Sequence, residues 1–298
     1  MQIGIFANTF VRPTLGETLD VVVGCRLRDV QFDMACAGVP TMPDQISGDL
    51  CDTIRREMAS RGIAMAAVSG TFNMIHPDVQ ERQKGLRRLR EMASVCERMG
   101  TGVVALCTGT RDPGSMWRAH PHNAAPEAWA ALLVSMEEAT RIAEAYDVTM
   151  AFEPEVSNVV DSPQKARRLL DEMRSPNLKV VMDPANIFQA GELPRMREKL
   201  NEAFDLLGDD IVHAHAKDLD RDGEAGHLPA GHGVLDYDRY LALLREVQFG
   251  GALVLHGLDE THVDGCRDFL LEKVAHLDNR RRSVQGPEQR QKQNGYRF

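Results

Sequence analysis

Long apolar runs are missing from this 298-residue chain, so no segment reaches the roughly 20 apolar residues that a membrane-spanning helix needs. Paired cysteines are missing too. Cys25, Cys36, Cys51, Cys96, Cys107 and Cys266 include no C-x-x-C, and several stand inside apolar stretches. They read as reduced thiols of a soluble, cytoplasmic protein rather than as disulfide staples. Basic charge is scarce: 35 Lys and Arg against 44 Asp and Glu leave a net charge of −9, which repels a phosphate backbone and disfavours a nucleic-acid partner. A Gly-rich dinucleotide fingerprint is absent after the first apolar segment, GIFANTF. The opening MQIGIFANTF lacks the basic flank and long apolar core of a signal peptide and reads as a strand.

What remains is an ordinary globular composition, 43% hydrophobic and 27% charged, enough to fill a large core. Strand-like segments recur at Gln2–Ala7, Asp29–Ala35, Ile63–Val68, Gly102–Cys107, Val148–Glu153, Leu178–Asp183, Ile211–Ala216 and Ala252–His256. Several are nearly continuous apolar runs that end in a polar residue, as parallel strands buried on both faces do. Helical periodicity lies between them, most clearly from Pro126 to Tyr146, where Trp129, Leu132, Met136, Ala139 and Ile142 share a side. Asp161 and Ser162 before Pro163 mark another helix start. Eight strands alternating with about eight helices predict one (β/α)8 TIM barrel over residues 1–278. Residues 279–298 are different: six basic residues, one acidic, several Gln and no apolar period, hence a solvated basic tail.

In such a barrel the βα loops frame one shared mouth, so strand ends are where chemistry collects. The late strands end in Phe152-Glu153-Pro154-Glu155, in Met182-Asp183-Pro184-Ala185-Asn186, in His213-Ala214-His215-Ala216-Lys217-Asp218 and in Leu255-His256-Gly257. Four successive strands thus deliver a carboxylate or an imidazole at one level, the donor types accepted by Mn, Co and Zn. Each has a plainer alternative: Glu153 or Asp183 can start a turn or cap a helix, and one of His213 and His215, which share a strand face, can be a core histidine. That core role is assigned to His213.

The set E-P, M-D-P-A-N, H-A-K-D and G-H-G-V-L-D-Y resembles the sugar isomerase/epimerase superfamily with xylose-isomerase-like barrels, which includes ketose 3-epimerases, inosose dehydratase and endonuclease IV. The resemblance runs to about residue 278. It implies one divalent metal held by Glu153, Asp183, His215 and, in the fourth place, His256. At that place the family has a second glutamate, which doubles as an acid/base group. Imidazole there leaves two carboxylates against the divalent charge, a sum of zero, so the ion is a stronger Lewis acid, and one proton acceptor is lost.

Around the mouth, Glu153 is the first candidate base and Glu155 the second. Lys217 either polarises a carbonyl or forms a structural ion pair. The long polar loop from Thr108 to Asn123 offers Trp117 to cover a sugar ring, and Arg111 or Arg118 to meet a carboxylate or phosphate. Asn8 and Asn186 are further substrate contacts, and Gly231-His232-Gly233 is a candidate phosphate cradle. The expected function is a metal-dependent isomerase or epimerase acting on a polyhydroxylated ketone through an enediolate, with Mn, Co or Zn as cofactor. A lyase or dehydratase acting on a keto-sugar or inosose is the alternative, and an endonuclease IV-like hydrolase a third. The expected partner is a small molecule, with no nucleic acid and no membrane, in a chain that can form a homodimer.

Overall fold

The computed structural model describes the backbone of residues 1–284 and the side chains of residues 1–278. Eight parallel strands close on themselves: β1 (Gln2–Phe6), β2 (Asp29–Phe32), β3 (Ala64–Ser69), β4 (Val103–Cys107), β5 (Thr149–Glu153), β6 (Leu178–Met182), β7 (Ile211–Asp218) and β9 (Ala252–Leu255). Each pairs in parallel with its neighbour, and β9 returns to β1. A two-residue strand, β8 (Leu228–Pro229), pairs antiparallel with the end of β7 and stands outside the ring. Helices α1 (Leu15–Gly24) to α8 (Val263–Val284) follow the barrel strands in turn and wrap the ring. This is a single (β/α)8 TIM barrel, and all eight expected strands are present.

Two apolar layers hold it. The larger lies between strands and helices, and it includes Ala214 and Ala216 of β7. The smaller lies inside the ring, where Ala67, Ala105, Ala151 and Val181 meet. Side chains alternate along a strand, so the residues two further on rise above this inner layer: Ser69, Cys107, Glu153 and Asp183. Small inner residues leave room for polar groups above them, and the last inward position of each strand becomes the floor of the mouth.

Helix ends follow their local chemistry. Thr14 and Glu17 form a reciprocal capping box at α1. Ser162 caps α5 (Pro163–Met173) with Pro163 in its first turn, as anticipated. Helix α4 spans Pro126–Tyr146 and buries Trp129, Leu132, Met136, Ala139 and Ile142, the face its periodicity predicts. Helix α8 continues to Val284, past the expected barrel boundary at residue 278; the rest of the basic tail lies outside the described residues. All six cysteines are free, and no described helix is long and apolar enough to cross a membrane.

Candidate metal centre and active-site cavity

The ends of β5, β6, β7 and β9 bring Glu153, Asp183, His215 and His256 into one neighbourhood; Asp183, His215 and His256 form the close group, and Glu153 stands beside it against His215. Glu153 Oε2 lies 3.6 Å from His215 Nδ1, and Asp183 Oδ2 lies 3.5 Å from the same nitrogen. Asp183 Oδ2 is 3.4 Å from His256 Nδ1. One donor atom each from Asp183, His215 and His256 lies within 4.8 Å of the others, the spacing of a possible metal site.

These separations are too long for strong hydrogen bonds, which mostly fall at or below about 3.2 Å. They match two ligands on one ion: with bonds of about 2.1 Å, tetrahedral donors sit roughly 3.4 Å apart. The tautomer of His215 points the same way. Its Nε2 lies 2.9 Å from Gln31 Oε1, which also meets His213 Nε2 at 2.8 Å, while Gln31 Nε2 donates to Ser69 Oγ at 3.1 Å. The Gln31 carbonyl can only accept, so His215 donates through Nε2 and its Nδ1 carries a lone pair. That buried nitrogen has no hydrogen-bond partner, and it faces two carboxylate oxygens. Three lone-pair donors turned on one another call for a cation, and the donor set fits a divalent ion.

Second contacts fix the geometry. Asp183 divides its work: Oδ1 accepts the Ala185 N–H at 3.1 Å, as in a turn start, and Oδ2 faces the centre. Asn186 donates to Glu153 Oε1 at 2.5 Å and accepts the Gly226 N–H at 3.0 Å. The hydroxyls of Tyr240 and Tyr237, on α7 (Tyr237–Glu246), donate to the backbone carbonyls of His215 (2.9 Å) and Lys217 (3.0 Å). Phe6 stacks on the His256 ring with centroids 4.4 Å apart. His213 is a buried, hydrogen-bonded core histidine, as assigned.

Lys217 Nζ is 3.0 Å from Asp183 Oδ2. Burial alone would lower its pKa, but Asp183, Glu153 and Glu155 outweigh that and keep the ammonium charged. Burial likewise opposes ionisation of Asp183, yet the Lys217 ammonium beside it holds it well below the usual carboxylate range. His256 is pushed down to about 3 by burial and by Lys217, so the ring is neutral and free to act as a ligand. Glu155, two residues past Glu153, is pushed up to about 8 by burial and by the Glu153 charge, so it carries a proton at neutral pH.

Above this centre opens a cavity of about 790 Å³, within the roughly 300–1,000 Å³ usual for small-molecule sites. Glu153, Glu155, Lys217, His256, Asn186, Asn8 and the half-exposed Trp117 line it. Asp183 and His215 lie buried just beneath.

Three expected contacts are not brought there, for a reason in each case. Arg111 is turned away onto the Ile75 carbonyl at 3.1 Å. Arg118 is exposed and lies 3.4 Å from Asp112 Oδ2. His232 is exposed, edge-on to His262, and outside the cavity lining. The glycine loop beside it is no open phosphate cradle: Asp218, buried, already accepts the Gly231 and Leu235 N–H groups at 3.0 Å each. Gln31 and Phe6 escaped the sequence reading. The one signal for Gln31 was an amide within the short strand DVQF, where a buried polar group demands a partner.

A family model described as xylose isomerase-like TIM barrel matches residues 30–270. The chain belongs to this family. Among solved structures, the xylose isomerase-like barrel described here resembles a D-tagatose 3-epimerase-like protein, with 13% identity and a TM-score of 0.73 over 94% of this chain and 99% of that one. It also resembles apo 3-keto-D-glucoside 4-epimerase from E. coli (15% identity, TM-score 0.70, 91% and 99% covered). A third is an IolI protein with a bound zinc atom (16%, 0.70, 93% and 97%). At these identities they share the fold. No curated protein matches the sequence at a significant level.

Removing the Gln31 amide tests whether it orients the imidazole. Gln31→Leu leaves the Nε2–H of His215 without an acceptor, and losing such an outer partner typically costs about 10–100-fold in metal affinity. Competition with a chromophoric chelator measures this; unchanged affinity in a folded variant would show that Gln31 does not orient the ring.

Proposed function

We propose that this xylose isomerase-like barrel is a divalent-metal-dependent isomerase or epimerase of a polyhydroxylated ketone, working through an enediolate. The observation that carries the reading is the unpartnered His215 Nδ1 facing Glu153 and Asp183 at the floor of an open, polar cavity. Glu153, Asp183, His215 and His256 would hold the ion, with Mn, Co or Zn suiting a donor set of two imidazoles and two carboxylates. When bound, the metal withdraws electron density from an adjacent hydroxyl and carbonyl, which acidifies the proton between them.

The chain's own groups do the rest. Glu153, held by Asn186, removes the α-proton. Protonated Glu155, rising from the same strand end, returns a proton to the enediolate, at the neighbouring carbon for isomerisation or at the original carbon for epimerisation. The Lys217 ammonium, already inside the low-dielectric floor, stabilises the oxyanion as it forms without reorganising. Trp117 covers the outer ring face. The epimerase names of two similar structures, and the zinc in a third, agree with this chemistry.

A lyase is the second reading, favoured by His256 standing where the resemblance leads one to expect a second glutamate. With Glu153 and Glu155 both on the β5 end, the site can remove a proton and protonate a leaving hydroxyl from one side. The nuclease reading has less support: among the described residues no second cluster of metal-ligating side chains accompanies the first.

The test is solvent-deuterium incorporation into ketoses, inososes and other keto-sugars, run with metal-loaded protein alongside elemental analysis. Deuterium in recovered substrate or isomer, with no loss of water, is expected. Release of water with no isomer would select the lyase; protein that binds no metal would end both readings.

A further inference from the structure

We infer that the substrate carries no anionic group at its far end: the cavity selects an uncharged polyhydroxylated compound over its phosphate ester or its carboxylate. This deepens, and rests on, the proposed proton-transfer function.

An anion at the end remote from the reacting carbon needs its own partner, either a guanidinium or ammonium or a set of free backbone N–H groups. Among the described residues that line the cavity, the one permanently charged cation is Lys217, and it lies at the floor against Asp183. Arginines on the segments around the mouth have partners of their own. Arg12 is 2.5 Å from Glu260, Arg118 pairs with Asp112, and Arg111 donates to the Ile75 carbonyl.

The two imidazoles on the cavity wall away from the floor are each balanced by a carboxylate. His262 Nδ1 is 2.9 Å from Asp259, and His227 Nε2 is 3.5 Å from Asp220. The glycine loop after β8 offers no free cradle either, because its Gly231 and Leu235 N–H groups close on the buried carboxylate of Asp218.

The lining adds repulsion to this lack of partners. Asp33 and Asp259 belong to the wall, in addition to Glu153 at the floor. The remaining wall groups, such as Asn8, Thr71 and Trp117, suit hydroxyls and a sugar face rather than a charge.

The experiment uses matched triplets with metal-loaded full-length protein: a ketohexose, the same sugar phosphorylated at its terminal carbon, and the same sugar oxidised there to a carboxylate. Deuterium exchange gives kcat/KM for each, and calorimetry gives Kd. Like-charge contact and an unpaired buried anion are expected to disfavour both anions by about 100-fold, with the gap narrowing as salt is raised. Asn8→Arg, which places a guanidinium in the wall, is expected to recover about tenfold for the phosphate ester. An anionic member that matches or outperforms the neutral one overturns the inference and leaves the proton-transfer reading standing. Selective binding of neutral sugars without exchange overturns the proposed reaction and leaves the charge selection standing. If no member binds, both fall.

Discussion

Asp183→Asn is expected to bring the metal content of the purified protein close to zero and to lower substrate deuterium exchange by roughly 10²–10³-fold. Asp183 Oδ2 is the atom that three groups of the centre share: His215, His256 and Lys217 all face it. An amide keeps the Oδ1 contact with the Ala185 N–H, so the turn after β6 survives while the charge is lost. Lys217 then stands buried without its closest counter-charge. Removing one partner of a buried pair costs about 3–5 kcal/mol, and each 1.4 kcal/mol is a factor of ten. Elemental analysis and the exchange assay read the two effects separately, and circular dichroism checks the fold. A folded variant that keeps stoichiometric metal would show that the ion, if any, lies elsewhere.

Metal removal from the unaltered protein is the second large effect. Without an ion, the lone pair of His215 Nδ1 and the oxygens of Glu153 and Asp183 repel one another in a buried site. Binding that is specific to the folded state adds about 4 kcal/mol when free metal exceeds Kd by 1,000-fold. For a domain of this size 1 kcal/mol shifts Tm by about 2–4 °C, so chelation is expected to lower Tm by about 10 °C, reversibly on adding Zn, Mn or Co. The shift should vanish in Asp183→Asn. Equal melting of chelated and loaded protein would remove the case for a folded-state metal.

The barrel was legible because parallel strands buried on both faces are written as apolar runs, and helices between them as amphipathic stretches. Val148 to Glu153 and Leu178 to Asp183 illustrate this: each run ends at a carboxylate, and each carboxylate sits at the mouth. The two-residue period of β7 puts His213 and His215 on one face, with His213 in the core and His215 above it. What stayed hidden depends on contacts distant in sequence. Gln31 reaches 182 and 184 residues along the chain to its histidines. Arg111 and Arg118 looked available because nothing local shows that Ile75 and Asp112 take them up. The Gly231 loop looked like an anion cradle because its glycines are visible in the sequence, whereas the carboxylate that fills it comes from the end of β7.

Strand β7 threads three functions on one line: His213 in the core, His215 at the centre and Lys217 at the floor of the mouth. The intervening Ala214 and Ala216 face the helices. A slip of one position in its pairing would turn imidazoles and ammonium outward and present two methyl groups to the cavity. Closing the barrel in that register would bury the ammonium and both imidazoles in the apolar layer beneath the helices, which costs the fold as well as the chemistry. Single-residue insertions or deletions within 211–218 are therefore expected to lose folded protein together with activity, which expression yield and circular dichroism would show.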